Sequence, residues 1–153
     1  MKTSTLLLSC LFALTLNALS AQSARVQTVI DNYARFGAGD IPGILATLDP
    51  AVVWTHAGDP ALIPFAGTHN GVAGAGQFFE IVGKSVQVRV FLPSNYRETG
   101  NTVVADVHIE GIVVATGKSY TDEVQMNWTF GPDGKVVRWE ATGTMAGITA
   151  ASK

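Results

Sequence analysis

The sequence predicts an α+β domain, a cone-shaped curved antiparallel sheet with three helices packed over its concave face. Three observations carry this. Apolar residues recur at helical spacing early in the chain and at every second residue from Val86 onward. Short Gly-, Pro- and Asn-containing clusters separate the segments as turns do. The 153 residues show no repeat, linker or shift of composition that would divide them.

In chain order, Val26, Val29, Ile30, Tyr33 and Phe36 form the apolar stripe of a first helix, ended by Gly37-Ala38-Gly39. Asp40 reads as the N-cap of a short second helix carrying Ile41, Ile44, Leu45 and Leu48. Pro42 falls in its first turn, where a missing N–H costs little. A strand through Trp54 follows, then a Gly/Pro-rich loop over residues 57–70. Asn70 can cap a third helix through Phe78, Phe79 and Val82. Four strands then meander: Val86–Leu92, Val103–Val114, Tyr120–Phe130 and Lys135–Gly143. Helices laid on one face of such a sheet enclose a pocket.

The first residues read differently. Lys2, the apolar run Leu6 to Leu19 and the small residues Ala18, Ser20 and Ala21 have the form of a secretory signal peptide. The run falls short of the ~20 apolar residues that a bilayer span needs, and Asn17 interrupts it. The expectation is a leader over residues 1–21, one domain over 22–148, and a secreted or periplasmic product without a stable membrane anchor. The single cysteine, Cys10, lies in that leader, so the mature chain has no disulfide, sulfur ligand or thiol nucleophile. Losing Lys2 leaves a net charge near −3 and no basic cluster, which argues against nucleic acid as a partner.

Residues 51–60, AVVWTHAGDP, pose the functional question. Alternation puts Val52, Trp54 and His56 on one face, so an apolar strand face ends in an imidazole. Either His56 is a satisfied histidine at a strand end or it moves a proton at the mouth of an apolar pocket. The same alternation turns Tyr120, Asp122, Val124, Met126, Trp128 and Phe130 inward, joined by Trp139 and Ala141 and by Val107, Ile109 and Val113. Asp122 is unusual in such a row, since an unpaired buried carboxylate is costly. Asp106, His108 and Glu110 fall on the opposite face, as a solvated or subunit-contact row rather than a metal cluster. His69 sits in the loop near the pocket rim. No metal or organic cofactor is expected.

GAGDIPGILATLDPAVVW (37–54), PFAGTHNGVAGAGQFF (64–79) and GKSYTDEVQMNWTFGPDGKVVRWEATGT (117–144), in this order and spacing, resemble the SnoaL-like members of the nuclear transport factor two-like superfamily. Ketosteroid isomerases and polyketide cyclases share that superfamily. The resemblance implies the cone-shaped fold and places the isomerase general base on His56. The isomerase tyrosine donor falls on Asn32, with Tyr33 one residue away, and the second, carboxylic acid donor falls on Met126, which cannot donate. Losing one such donor typically costs ~10²–10³ in rate, which argues against steroid isomerisation and against the cyclase chemistry that uses an acid there.

Three functions fit the sequence. The first is a cofactor-independent acid–base enzyme for a hydrophobic small molecule. In it His56 moves the proton, Asp122 or Asp59 tunes it, Asn32 and Tyr33 orient the substrate, and Trp54, Met126, Trp128 and Trp139 form the walls. The second is a non-catalytic binder using the same pocket. The third is an association module whose tryptophans fill the cone. A homodimer pairing through the outer face of the last four strands, with Phe91 turned outward, is expected in each case, as in relatives.

Overall fold

Helix α1 (residues 24–38) packs Val29 and Tyr33 into the core, and Phe36 is half-buried. The chain leaves it through Gly39 at φ 72°, where Gly39 N–H donates to Phe36 O and Asp40 N–H to Arg35 O. That pair is the Schellman closure, and it requires a left-handed residue that glycine supplies without strain. Asp40 then caps α2 (Ile41–Leu45), its carboxylate accepting from Gly43 N–H at 2.9 Å, with Pro42 in the first turn. The computed structural model describes residues 24–153. The expected leader and Cys10 lie outside the described residues.

The strands are β1 (Leu48–His56), β2 (Gly67–Asn70), β3 (Val86–Thr99), β4 (Thr102–Val113), β5 (Ser119–Phe130) and β6 (Val136–Thr142). They form one curved, open sheet in the order β2-β1-β6-β5-β4-β3. Every pair is antiparallel except β1 with β6, which run parallel with Trp54 opposite Trp139. Helix α3 (Gly71–Ser85) lies against β1 and β2, and α4 (Ala146–Ala151) against β5. Among the described residues no helix is long and apolar enough to cross a membrane.

The period-two pattern of β5 holds without a break, every residue from Tyr120 to Phe130 on the even positions being buried. Several features depart from the sequence expectation. Leu48, expected on the apolar face of the second helix, opens β1 instead, and β3 runs on past Leu92 to Thr99. The loop over 57–70 contains β2, which pairs with β1. Asn70 stands at the N-cap of α3 but its side chain makes no capping hydrogen bond. A fourth helix, α4, follows β6 and runs to Ala151, beyond the expected domain end at 148.

The last departure concerns Phe91, which turns inward, not outward. The β3–β4 register shifts between Val88 and Val90, and a bulge of this kind moves the following residues to the other face. Phe91 therefore packs on Tyr33 and Phe36, with ring centroids 5.4 and 5.1 Å away, while Leu92 is exposed opposite His108.

The outer face is polar. Arg97 and Asp106 form a two-pronged ion pair at 2.9 and 2.8 Å, to which Asn95 and Gln125 add hydrogen bonds. His108 lies between Glu123 on Nδ1 and Glu110 on Nε2. Among the described residues no group of His, Asp and Glu is arranged to hold a metal ion.

Candidate functional site

The concave face of the sheet and the helices enclose a cavity of about 90 Å³, partly open to solvent. It is smaller than the ~150 Å³ apolar cavity that holds one benzene, so an occupant much larger than that needs the walls to move. Its floor is a tryptophan cluster set by strand register. Trp54 and Trp139, neighbours on parallel strands, stack at 4.3 Å and 14°. Trp128, opposite Trp139, meets the Trp54 ring edge-on at 5.6 Å. The rings pack on one another without filling the cone.

His56 ends β1 inside this wall, 8% exposed, with Phe65 edge-on at 4.9 Å and Phe78 and Trp139 beside it. Its Nδ1 lies 2.7 Å from the Ala57 carbonyl oxygen. A carbonyl can only accept, so Nδ1 carries the proton and Nε2 the lone pair. Nε2 has no hydrogen-bond partner among the described residues. Burial drives the imidazole pKa down to about 4, opposed by the Ala57 carbonyl and the Asp122 charge and assisted by His69. The ring is therefore neutral at pH 7.

Tyr33 projects from α1 into the same cavity. Its hydroxyl oxygen accepts from Trp128 Nε1 at 2.9 Å, which leaves the hydroxyl proton free to be donated. Burial raises the phenol above its ordinary pKa, so it stays protonated. Asn32 is buried at the cavity edge, but its amide is engaged in structure: Nδ2 donates to Thr47 Oγ1 at 2.9 Å and Oδ1 accepts from Arg35 at 2.8 Å. These bonds tie α1 to the chain entering β1.

Asp122 also lines the cavity, 8% exposed. Its two oxygens accept from Gly147 N–H at 2.7 Å and Ile148 N–H at 2.8 Å. A carboxylate on the opening amides of α4 explains an acid in an apolar row, because charge-assisted hydrogen bonds offset its desolvation. The approach is close enough that a Cβ on Gly147 would stand 2.2 Å from Thr121 O. Helix α4 in turn brings Met145 and Ile148 to the cavity wall.

Of the residues singled out from sequence, His56, Asp122, Asn32, Tyr33, Trp54, Met126, Trp128 and Trp139 share the cavity. Asp59 does not; it is exposed, and its carboxylate accepts from Ala61 N–H at 2.9 Å to close a turn. His69 donates to the Phe65 carbonyl at 3.1 Å and lies behind Phe78. Phe65 and Met145 are wall residues that sequence reasoning missed, since neither belongs to a periodic segment.

Comparison with solved structures finds the same fold repeatedly. An NTF2-like protein of unknown function from Burkholderia pseudomallei is 28% identical, with a TM-score of 0.76 over 84% of this chain and 97% of that one. An NTF2-like protein from Burkholderia thailandensis is 26% identical, with a TM-score of 0.75 over the same shares, 84% and 97%. TerC, co-crystallised with polyporic acid, is 27% identical, with a TM-score of 0.73, again over 84% and 97%. No curated protein matches the chain. The model of the SnoaL-like domain matches residues 29–139, from the buried Val29 of α1 to the stacked Trp139, and the chain belongs to that family.

Proposed function

We propose that the chain is a small acid–base enzyme acting on a hydrophobic small molecule, with His56 as the proton acceptor. The tautomer of His56 carries the proposal. With the Nδ1 proton held by the Ala57 carbonyl, the lone pair sits on Nε2 of a ring that lines an apolar cavity. Burial, which lowers the pKa to about 4, keeps this nitrogen unprotonated in the neutral range but weakens it as a base, and the Asp122 charge offsets part of that loss by favouring the imidazolium. The Tyr33 hydroxyl, polarised by Trp128, orients the substrate. TerC supports an organic small molecule as the occupant, because it was crystallised with one.

The test begins with native mass spectrometry of protein from its own host to identify a retained compound. Turnover of that compound is then compared between wild type and His56→Gln. The expected loss is ~10²–10⁴ in rate, the usual contribution of a positioned base. Unchanged turnover would overturn the role of His56.

A non-catalytic binder is favoured by one specific observation. The Asn32 and Asp122 groups that would tune or orient a substrate are already bonded to Thr47, Arg35 and α4. A retained compound that neither protein changes would support it.

Export and pairing complete the proposal. Cleavage after Ala21 is checked by N-terminal sequencing, and a retained Met1 refutes it. The outer face carries an exposed Leu92 among charged neighbours, which suits a homodimer contact. Light scattering giving the mass of a single chain at micromolar concentration would refute that.

A further inference from the structure

The cavity of about 90 Å³ is too small for benzene with its walls in place, so one wall has to give way for a ligand to enter. Most of the enclosure is braced on several sides. The inner strands β1, β6, β5 and β4 are hydrogen-bonded to a neighbour along both edges. Helix α3 lays fifteen residues against β1 and β2. Helix α1 is tied at two points, by Arg25 to Glu98 and Gly100 and by Asn32 to Thr47.

Helix α4 is held differently. It has six residues, too few to persist as a helix without tertiary support, and it packs on β5 and β4. Asp122 fastens its start through the Gly147 and Ile148 amides, and Thr116 Oγ1 fastens its end by donating to the Ala151 carbonyl at 2.7 Å. Its approach is strained. Met145 stands at φ 49°, in the left-handed region, and such strain lasts only while surrounding contacts impose it. Gly143, at φ 141°, gives the chain a permissive joint two residues earlier. Undocking would relieve Met145 and let water replace the two amides on Asp122, so the net loss in hydrogen bonding is small. Burial of Met145, Ile148 and Ala151 keeps the docked form as the resting one.

We propose that α4 is the lid of the cavity: a ligand enters when the helix swings off β5 about Gly143 and is enclosed when Asp122 and Thr116 recapture it. Undocking withdraws Met145 and Ile148 from the wall, which adds the missing room. On return the unbranched Met145 side chain refits around the occupant. The inference rests on the cavity being the ligand site and adds how that site is reached.

The probe is N-phenyl-1-naphthylamine, a neutral aromatic amine larger than benzene that brightens on leaving water. Stopped-flow fluorescence times its entry. Hydrogen exchange of the Gly147 and Ile148 amides, which Asp122 holds while the helix is docked, reports the opening of α4. In the wild type these amides should exchange at least ~tenfold faster than the buried strand amides of β5, as movable elements do. Thr116 lies outside the cavity lining, and Thr116→Val removes the far fastening together with a 3.3 Å contact from Lys118 N–H. It should speed amide exchange and probe association by the same factor, ~fivefold, the loss of one hydrogen bond. Gly147→Ala, whose Cβ would stand 2.2 Å from Thr121 O, should push the helix off β5 and speed entry further. Wild-type Gly147 and Ile148 amides that exchange as slowly as those of β5 overturn the inference, whether or not the variants fold. Faster exchange in Thr116→Val with probe entry unchanged also overturns it, because the ligand then passes another way. A probe that fails to bind the wild type overturns the site itself and the inference with it.

Discussion

The two faces of one sheet put neighbouring residues of the same strands in different solvents. On β4, Ala105 and Val107 are buried in the concave wall, while Asp106 and His108, next to them in sequence, stand in water on the convex side. The contrast is sharpest between two histidines. His56 is enclosed by aromatic rings and its pKa falls to about 4. His108 is flanked by Glu123 and Glu110, whose hydrogen bonds and charge raise its pKa. The convex ion pairs are exposed and contribute little to stability, as such pairs generally do. The concave face carries the packing, so the same kind of residue reports burial on one side and counter-charge on the other.

The largest effect expected from testing this contrast is at the centre of the concave wall. Trp54→Ala removes a ring stacked on Trp139 and in contact with Trp128, Phe78 and Phe79. It should cost ~3–5 kcal/mol in denaturant unfolding. A loss under about 1 kcal/mol would mean that the tryptophan cluster is not the core.

Next comes pH, where the two histidines should act with opposite sign. With a folded pKa near 4 against about 6.5 unfolded, His56 stays neutral in the fold while the unfolded chain takes up its proton. Its stability contribution is complete above pH ~6.5 and declines by up to ~3 kcal/mol as the pH falls through 4. For His108, with its folded pKa raised, the contribution is complete below ~6.5 and is lost as pH rises through the folded value. Unfolding curves between pH 4 and 8 (both bounds approximate) should therefore lose their acid slope in His56→Gln and the opposite, shallower slope in His108→Gln. An acid slope that persists in His56→Gln would break the comparison.

A smaller change tests how the concave face acquired its one carboxylate. Asp122→Asn keeps one acceptor for α4 but loses the charge and the second bond, and should cost about 2 kcal/mol. Because Met145 and Ile148 line the cavity, ligand affinity should weaken with it. Arg97→Ala on the convex side should give the smallest change, an unfolding midpoint indistinguishable from wild type. A large drop there would show that the convex network holds the sheet.

How much of this was legible in the sequence follows the same physics. The inward row of β5 could be read directly because the period of two is unbroken and both edges of the strand are paired. Phe91 misled because a bulge, which depends on pairing with β4, reverses the alternation after Val88. Helix α4 has no apolar period of its own. Asp122, distant in sequence, and a close glycine contact with β5 hold it in place. His56 was found by strand alternation, and the same position followed from the family resemblance. Its tautomer was not legible, since it depends on how the chain turns to present the Ala57 carbonyl. Asp59 looked like a site acid from sequence proximity alone, but the turn it closes lies apart from the cavity.

The parallel pairing of β1 with β6 has a consequence in time. Leu48 meets Val136, and Trp54 meets Trp139, across almost the whole length of the domain. During synthesis the edge of β1 that pairs with β6 therefore has no partner until nearly the last residues have emerged. Contacts this distant in sequence make folding slow, because the chain must close a long loop before they can form. The tryptophan stack, which needs both β1 and β6, therefore forms only once β6 has emerged.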